Sequence, residues 1–173
     1  MFVFVVGCVV VVFFEVRSVE WRDGAVRLLD QNALPWEFRF VECRSVEEVA
    51  EAIRDMTVRG APAIGVAAAM GIALAAVQSN AGSLEELFRD VERAADVLSR
   101  ARPTARNLFW AIERMLEVIK RTKSVDEAKR VALSEALKMA DEDVEVNRRM
   151  GEVGAELIDD GDTILTHCKQ LGF

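Results

Sequence analysis

The chain has a single histidine, His167, and only three cysteines, Cys8, Cys43 and Cys168, with no C-x-x-C pair. So few and so scattered ligands exclude a structural zinc site and a disulfide framework, and they make a reduced, cytoplasmic setting the default. Positive charge is also in short supply. Lys and Arg number 22 against 29 Asp and Glu, a formal charge of -7. Nucleic-acid binders carry the opposite balance, so nucleic acid is not an expected partner. Internal repeats and low-complexity linkers are absent. What remains is 173 residues of which 51% are hydrophobic, ample for one core and too apolar for a disordered chain.

Residues 2–14 read FVFVVGCVVVVFF. The run is shorter than the ~20 residues a helix needs to cross a bilayer, so no membrane partner is expected from it. It also lacks the preceding positive charge and following small-residue site of a secretory signal. A signal or anchor, a buried strand and an extension outside the functional domain are the three readings. The extension, residues 1–15, is the one adopted.

From Val19 the pattern turns regular. Val19–Arg22 and Ala25–Leu28 flank Asp23-Gly24, a two-residue hairpin signal, and Phe38–Cys43 supplies a third short strand. Ser45 with Glu48, Ser83 with Glu86 and Ser124 with Glu127 are capping boxes that open helices. The segment from Pro62 to Ala76 is almost wholly Ala, Ile, Val and Gly, the composition of a helix buried on all sides. Two more helices start after Ser83 and after Pro103, and a long one runs from about Val125 to Ile158. Thr163–Cys168 reads as a strand after the turn Asp159–Asp162. The expected fold is α+β and mainly helical: a small antiparallel sheet and a helical bundle over 16–160, then, in 161–173, the start of another domain. A lone strand after a long helix has no partner, so the chain is expected to be cut there.

Two arginines stand before helix starts, in Val58-Arg59-Gly60-Ala61-Pro62 and in Arg102-Pro103-Thr104. Helix N-termini present free N–H groups and the positive end of the dipole, so an anion is welcome there. Arg59 adds a bidentate charge, and Gly60 lets a ligand approach the backbone. The plainer alternative makes Gly60 a C-cap and each Arg a partner for the preceding helix end. Cys168 closes a strand, where open α/β sheets place their ligands, and a thiol there serves as acid, base or nucleophile, or simply as a small hydrophobe. Trp21, Trp36 and Trp110 read as packing residues, and Asp141-Glu142-Asp143 as a solvated face.

Taken together, VEWRDGAVRLLDQNALP, IRDMTVRGAPAIGVAAAMGIALA, ARPTARNLFWAIERM and NRRMGEVGAELIDDGDTILTHC resemble one family over residues 16–168. It is the S-methyl-5-thioribose-1-phosphate isomerases of methionine salvage. Their relatives are the ribose-1,5-bisphosphate isomerases and the regulatory subunits of initiation factor 2B. The resemblance implies an aldose–ketose isomerase acting on a phosphorylated sugar, with no metal or organic cofactor, and a homodimer at full length. It implies that Arg59, Gly60, Ala61 and Arg102 bind the substrate and that Cys168 is catalytic. It further implies a Rossmann-like domain after residue 168 that holds the catalytic aspartate, so this chain alone is expected to be inactive. After Cys168 the family continues with an Asn-Ala-Gly-rich loop, whereas this chain reads Lys169-Gln170-Leu171-Gly172-Phe173. An interaction module like the initiation-factor subunits and a ribose-1,5-bisphosphate isomerase are the competing expectations.

Overall fold

The computed structural model describes residues 16–163 in full and, at Phe2–Val6 and Val9–Phe13, the course of the backbone. Those two short segments are strands β1 and β2. They pair antiparallel with Phe2 opposite Phe13, in a sheet of their own. The apolar run thus holds a hairpin, which its uniform composition did not announce.

The second sheet is the expected one. Strands β3 (Val19–Arg22), β4 (Ala25–Leu29) and β5 (Phe40–Cys43) form an antiparallel meander in that order. Asp23 and Gly24 have φ of 50° and 75°, so both central turn residues are left-handed as a tight hairpin of this twist requires. Val19, Val26, Leu28 and Cys43 bury their side chains in the core. The other face is mixed: Ala25 and Leu29 are buried there as well, while Arg27 pairs with Glu20 at 2.6 Å and lies 3.7 Å over the Phe40 ring. The third strand starts two residues later than its sequence suggests. Just before it, the Arg39 carbonyl accepts the Asp30 N–H at 3.0 Å and the Arg39 guanidinium binds the Asp30 carboxylate.

Five helices follow: α1 (Val46–Arg54), α2 (Ala61–Gln78), α3 (Leu84–Ser99), α4 (Arg106–Lys120) and α5 (Val125–Ala155). The three capping boxes all form. Ser45, Ser83 and Ser124 each accept from the backbone N–H three residues on, at 3.2 Å. Each paired Glu reaches back to the N–H of the residue before the cap, Arg44, Gly82 or Lys123.

Helix α2 is the axis of the bundle. It is long and apolar enough to cross a membrane by length and composition, with a mean hydropathy of 1.8, yet 67% of it is buried inside the fold. It packs against α1, α3, α4 and α5 at once. Its small residues make that possible. A Cβ at Gly65 would lie 3.0 Å from the backbone oxygen of Asn107 in α4, and one at Gly71 would lie 3.1 Å from Leu98 of α3.

Helix directions follow from the cross-links. Gln78, at the end of α2, donates to the carbonyl of Arg44 just before α1, and Lys129 near the start of α5 donates to Ser79 at 2.5 Å. The three Ser-capped starts therefore gather at the C-terminal end of α2. Gly65 and Asn107 bring the starts of α2 and α4 together at the opposite end. Helix α5 runs antiparallel to both, and Arg114 of α4 ties to Glu135 and Glu142 of α5 at 2.6 Å each.

Three features depart from the sequence reading. The acidic cluster is not simply solvated: Asp141 pairs with Arg17 at 2.7 Å, Glu142 holds Arg114, and Asp143 is partly buried. Trp36 is 92% exposed and Trp110, lying under Arg114, is 52% exposed; of the three tryptophans only Trp21 packs on the core. Helix α5 buries Ala128, Ala132, Ala136, Met139 and Ala140, but Leu137 is exposed, Val144, Met150 and Val153 beyond them lie open, and the helix ends at Ala155 rather than Ile158. Periodicity reports which way a side chain points, not what covers it. The strand expected at Thr163–Cys168 lies, after Thr163, outside the described residues.

Two outcomes follow from this packing. Gly65→Val would push a branched side chain against an immovable carbonyl and cost about 1–3 kcal/mol in urea melts. Unchanged stability would show that α2 and α4 do not meet there. The Cys43 thiol is 1% exposed, and burial, helped by Glu48 and Asp55, pushes its pKa up to about 11. Cys43 should therefore resist alkylation at pH 7 until the chain unfolds, as peptide mapping after timed iodoacetamide treatment would show.

Candidate functional site

The two helices that lack a side-chain cap are the two whose starts lie side by side. Gly60 is the N-cap of α2, at φ 98° and ψ 130°, and can offer no side chain; Ala105 at the start of α4 is equally bare. Ala61 and Pro62 are exposed, so the first turn of α2 lies at the surface; Pro62 has no N–H of its own, and Ala61 and Ala63 carry the N–H groups without a backbone partner among the described residues. The φ of Gly60 lies in a region closed to other residues, so the sequence must place glycine here.

Arg59 is fixed beside this start. Its Nε donates to the Met56 carbonyl at 3.2 Å and its Nη2 to the Asn32 side chain at 2.5 Å. The turn that delivers it is strained, because Met56 has a φ of 65°, which costs a non-glycine residue about 1 kcal/mol. Asp55 steadies the turn by accepting the Thr57 N–H at 2.9 Å. Arg102 sits in the turn before α4, half-buried, with no side-chain hydrogen bond or ion pair among the described residues. Its carbonyl accepts the Ala105 N–H at 3.0 Å, which closes the turn into α4.

Arg59, Gly60, Ala61 and Arg102 thus share one end of the molecule. Gly60 is an N-cap to the helix that follows it, while Arg59 stands beside that helix start and at the same time binds the Met56 carbonyl just past the end of α1. Cys168 lies outside the described residues. Helix rise places the tail of α5 at the same end. Lys129 faces Ser79, so a residue about 18 positions on, near Asn147, comes level with Ala61 at 1.5 Å per residue. The rest of α5 projects about 12 Å past the two helix starts and delivers the chain to this end. On the way it carries Asp143, whose carboxyl is raised by burial and partly relieved by the Asn147 amide.

Supporting contacts come from the loop after β4, which sequence reasoning passed over. Asp30 is 4% exposed. Burial works to raise its pKa, but hydrogen bonds from Arg39 and from the backbone of Asn32 and Ala33 outweigh it, and the carboxyl is held below its ordinary value. The D-Q-N triplet was a visible cue, since Asn and Asp fold back on their own backbone in turns.

Two clefts lie elsewhere. One of about 530 Å³ runs over charged residues of α3, and one of about 330 Å³ sits at the far end of α2 near Gln78 and Ser79. Both are shallow and lined by side chains already paired with one another, such as Asp90 with Ser79 and Arg93. Among the described residues no three His, Cys, Asp or Glu side chains converge as a metal would need.

The architecture, a helical bundle on a small sheet, is shared with known proteins. Residues 57–170 match the family model described as the initiation factor 2 subunit family. A putative methylthioribose-1-phosphate isomerase of Archaeoglobus fulgidus is 52% identical over 152 residues, 88% of this chain and 44% of that protein. The methylthioribose-1-phosphate isomerase of Geobacter sulfurreducens is 49% identical over 158 residues, 90% of this chain and 46% of that protein. Among solved structures, a 5-methylthioribose 1-phosphate isomerase of Pyrococcus horikoshii OT3 superposes with a TM-score of 0.81 at 48% identity, covering 84% of this chain and 41% of that one. A structure described as translation initiation factor eIF-2B, subunit delta, of A. fulgidus gives 0.79 at 51% identity, covering 86% and 43%. The chain belongs to the initiation factor 2 subunit family, and it spans less than half the length of these relatives.

The Asp30 pairing makes a pH test. A carboxylate whose folded pKa is depressed stabilises above its unfolded value, near 4, and that contribution fades as pH falls through the folded one. Asp30→Asn should lower the melting temperature by a few degrees at pH 7 and by less at pH 3. A deficit of the same size at both would mean that the Arg39 contact carries no charge-dependent stability.

Proposed function

We propose that this chain forms the phosphate-holding side of a sugar-phosphate isomerase site, acting on S-methyl-5-thioribose 1-phosphate. The observation that carries the reading is the pair of uncapped helix starts brought together with Arg59 and Arg102. Two positive helix ends and two guanidinium groups suit a dianionic phosphate, and the Gly60-Ala61 backbone can approach it closely. The names of the relatives at about 50% identity supply the substrate.

Conversion of this aldose to its ketose moves hydrogen from C2 to C1, breaks the bond from C1 to the ring oxygen and leaves a carbonyl at C2. The sum is neither oxidation nor reduction. Protons must leave and arrive at different atoms, so two groups with pKa values near the working pH are wanted. We assign the thiol of Cys168 as one, and place the opposing acid and further substrate contacts in the part of the family architecture that this chain does not span. Residues 16–160 act as the phosphate-binding domain, and 161–173 lead towards that second part. The protein is taken to work in the cytoplasm without metal or organic cofactor.

The likeness to the structure described as an initiation-factor subunit favours a second reading, a non-catalytic interaction module. A third, a ribose-1,5-bisphosphate isomerase, would need another cationic site for the 5-phosphate. Titration calorimetry of the 173-residue protein with S-methyl-5-thioribose 1-phosphate separates these. Binding should weaken at least tenfold, about 1.4 kcal/mol, in Arg59→Ala and in Arg102→Ala, and inorganic phosphate should compete. Indifference of binding to both substitutions would overturn the site. Tighter binding of ribose 1,5-bisphosphate would move the assignment to the third reading.

A further inference from the structure

The loop between β4 and β5 holds a side chain whose contacts lead straight to Arg59. Asn32 makes three bonds. Its backbone N–H donates to Oδ1 of Asp30 at 2.9 Å, its Nδ2 donates to the Asp55 carbonyl at 3.1 Å, and its Oδ1 accepts from Nη2 of Arg59 at 2.5 Å. The amide has one sensible orientation, because a guanidinium only donates and a carbonyl only accepts. Behind it, the other oxygen of Asp30 accepts from Nε and Nη2 of Arg39 at 2.9 and 2.7 Å. The Gln31 N–H also donates to the Thr57 carbonyl at 3.0 Å, so the loop is stitched to the turn that carries Arg59.

These bonds leave the guanidinium half used. Nε and Nη2 are engaged by Met56 and Asn32, while Nη1 has no partner among the described residues. A long side chain beside an exposed helix start would otherwise sample many rotamers, and binding would have to order it each time. With Asn32 in place that ordering is done in advance. The anchor also faces away from the job, since it occupies one edge of the fork and keeps donors for an anion.

We propose that Asn32, held by the buried carboxylate of Asp30, is a positioning residue that pre-orients Arg59 at the start of α2. The proposal rests on the reading of that helix start as a phosphate site. Asn32 itself touches no ligand in this scheme and acts only through Arg59.

A double-mutant cycle tests it, with the 173-residue protein, calorimetric titration of S-methyl-5-thioribose 1-phosphate and of inorganic phosphate, and a melting curve for each variant. Asn32→Ala should raise the dissociation constant for both probes about fivefold to tenfold, while folded protein persists at the titration temperature. Asn32→Ser keeps a turn-forming side chain but is too short to reach Arg59, and should give the same loss. In an Arg59→Ala background neither change should weaken binding further. An equal loss in both backgrounds would show that Asn32 acts through the fold and would overturn the proposal, as would wild-type affinity in Asn32→Ala. Wild-type affinity in Arg59→Ala, or no binding by the parent chain, would instead overturn the site on which the proposal rests.

Discussion

The arrangement depends on the burial of α2. A helix with apolar small residues on every side cannot satisfy itself at the surface, so four other helices must surround it. Gly65 then decides how closely α4 approaches, because bare backbone meets backbone there. That single close approach sets two helix starts next to each other, and everything proposed for ligand binding is built on their adjacency.

Division of labour between helix ends is a second consequence. Three starts are sealed by Ser and Glu side chains at the far end of α2, while the two at the near end have no side chain able to cap them. Unsatisfied N–H groups are costly when buried but useful when they face a ligand. Local strain accumulates at the same end, in the positive φ of Met56 and in the glycine that opens α2. The sheet loop braces this turn through Asp30 and Asn32, so the small sheet does more than cover the bundle.

Helix α5 links the bundle to whatever lies past it. Arg114 clamps its middle to α4 through two carboxylates, and this accounts for acidic residues that would otherwise read as surface. Beyond the clamp the helix leaves the bundle and its apolar residues lose their cover. The charge pattern there, with Arg148 between Glu145 and Glu152, is that of an exposed helix supported along its own surface.

Local signals were enough to read the Asp23-Gly24 hairpin, the three Ser-Glu helix starts, the buried character of the segment after Pro62 and the two Arg-bearing turns, because each depends on residues a few positions apart. The family, too, was legible in short motifs. Tertiary structure alone decided that the starts of α2 and α4 meet, that Trp36 stands in solvent, that Glu142 serves Arg114 and that Asn32 holds Arg59. Each of these joins residues distant in sequence or depends on what covers a side chain. Such pairings arise only when the packed core fixes helix directions, and no periodicity along the chain encodes them.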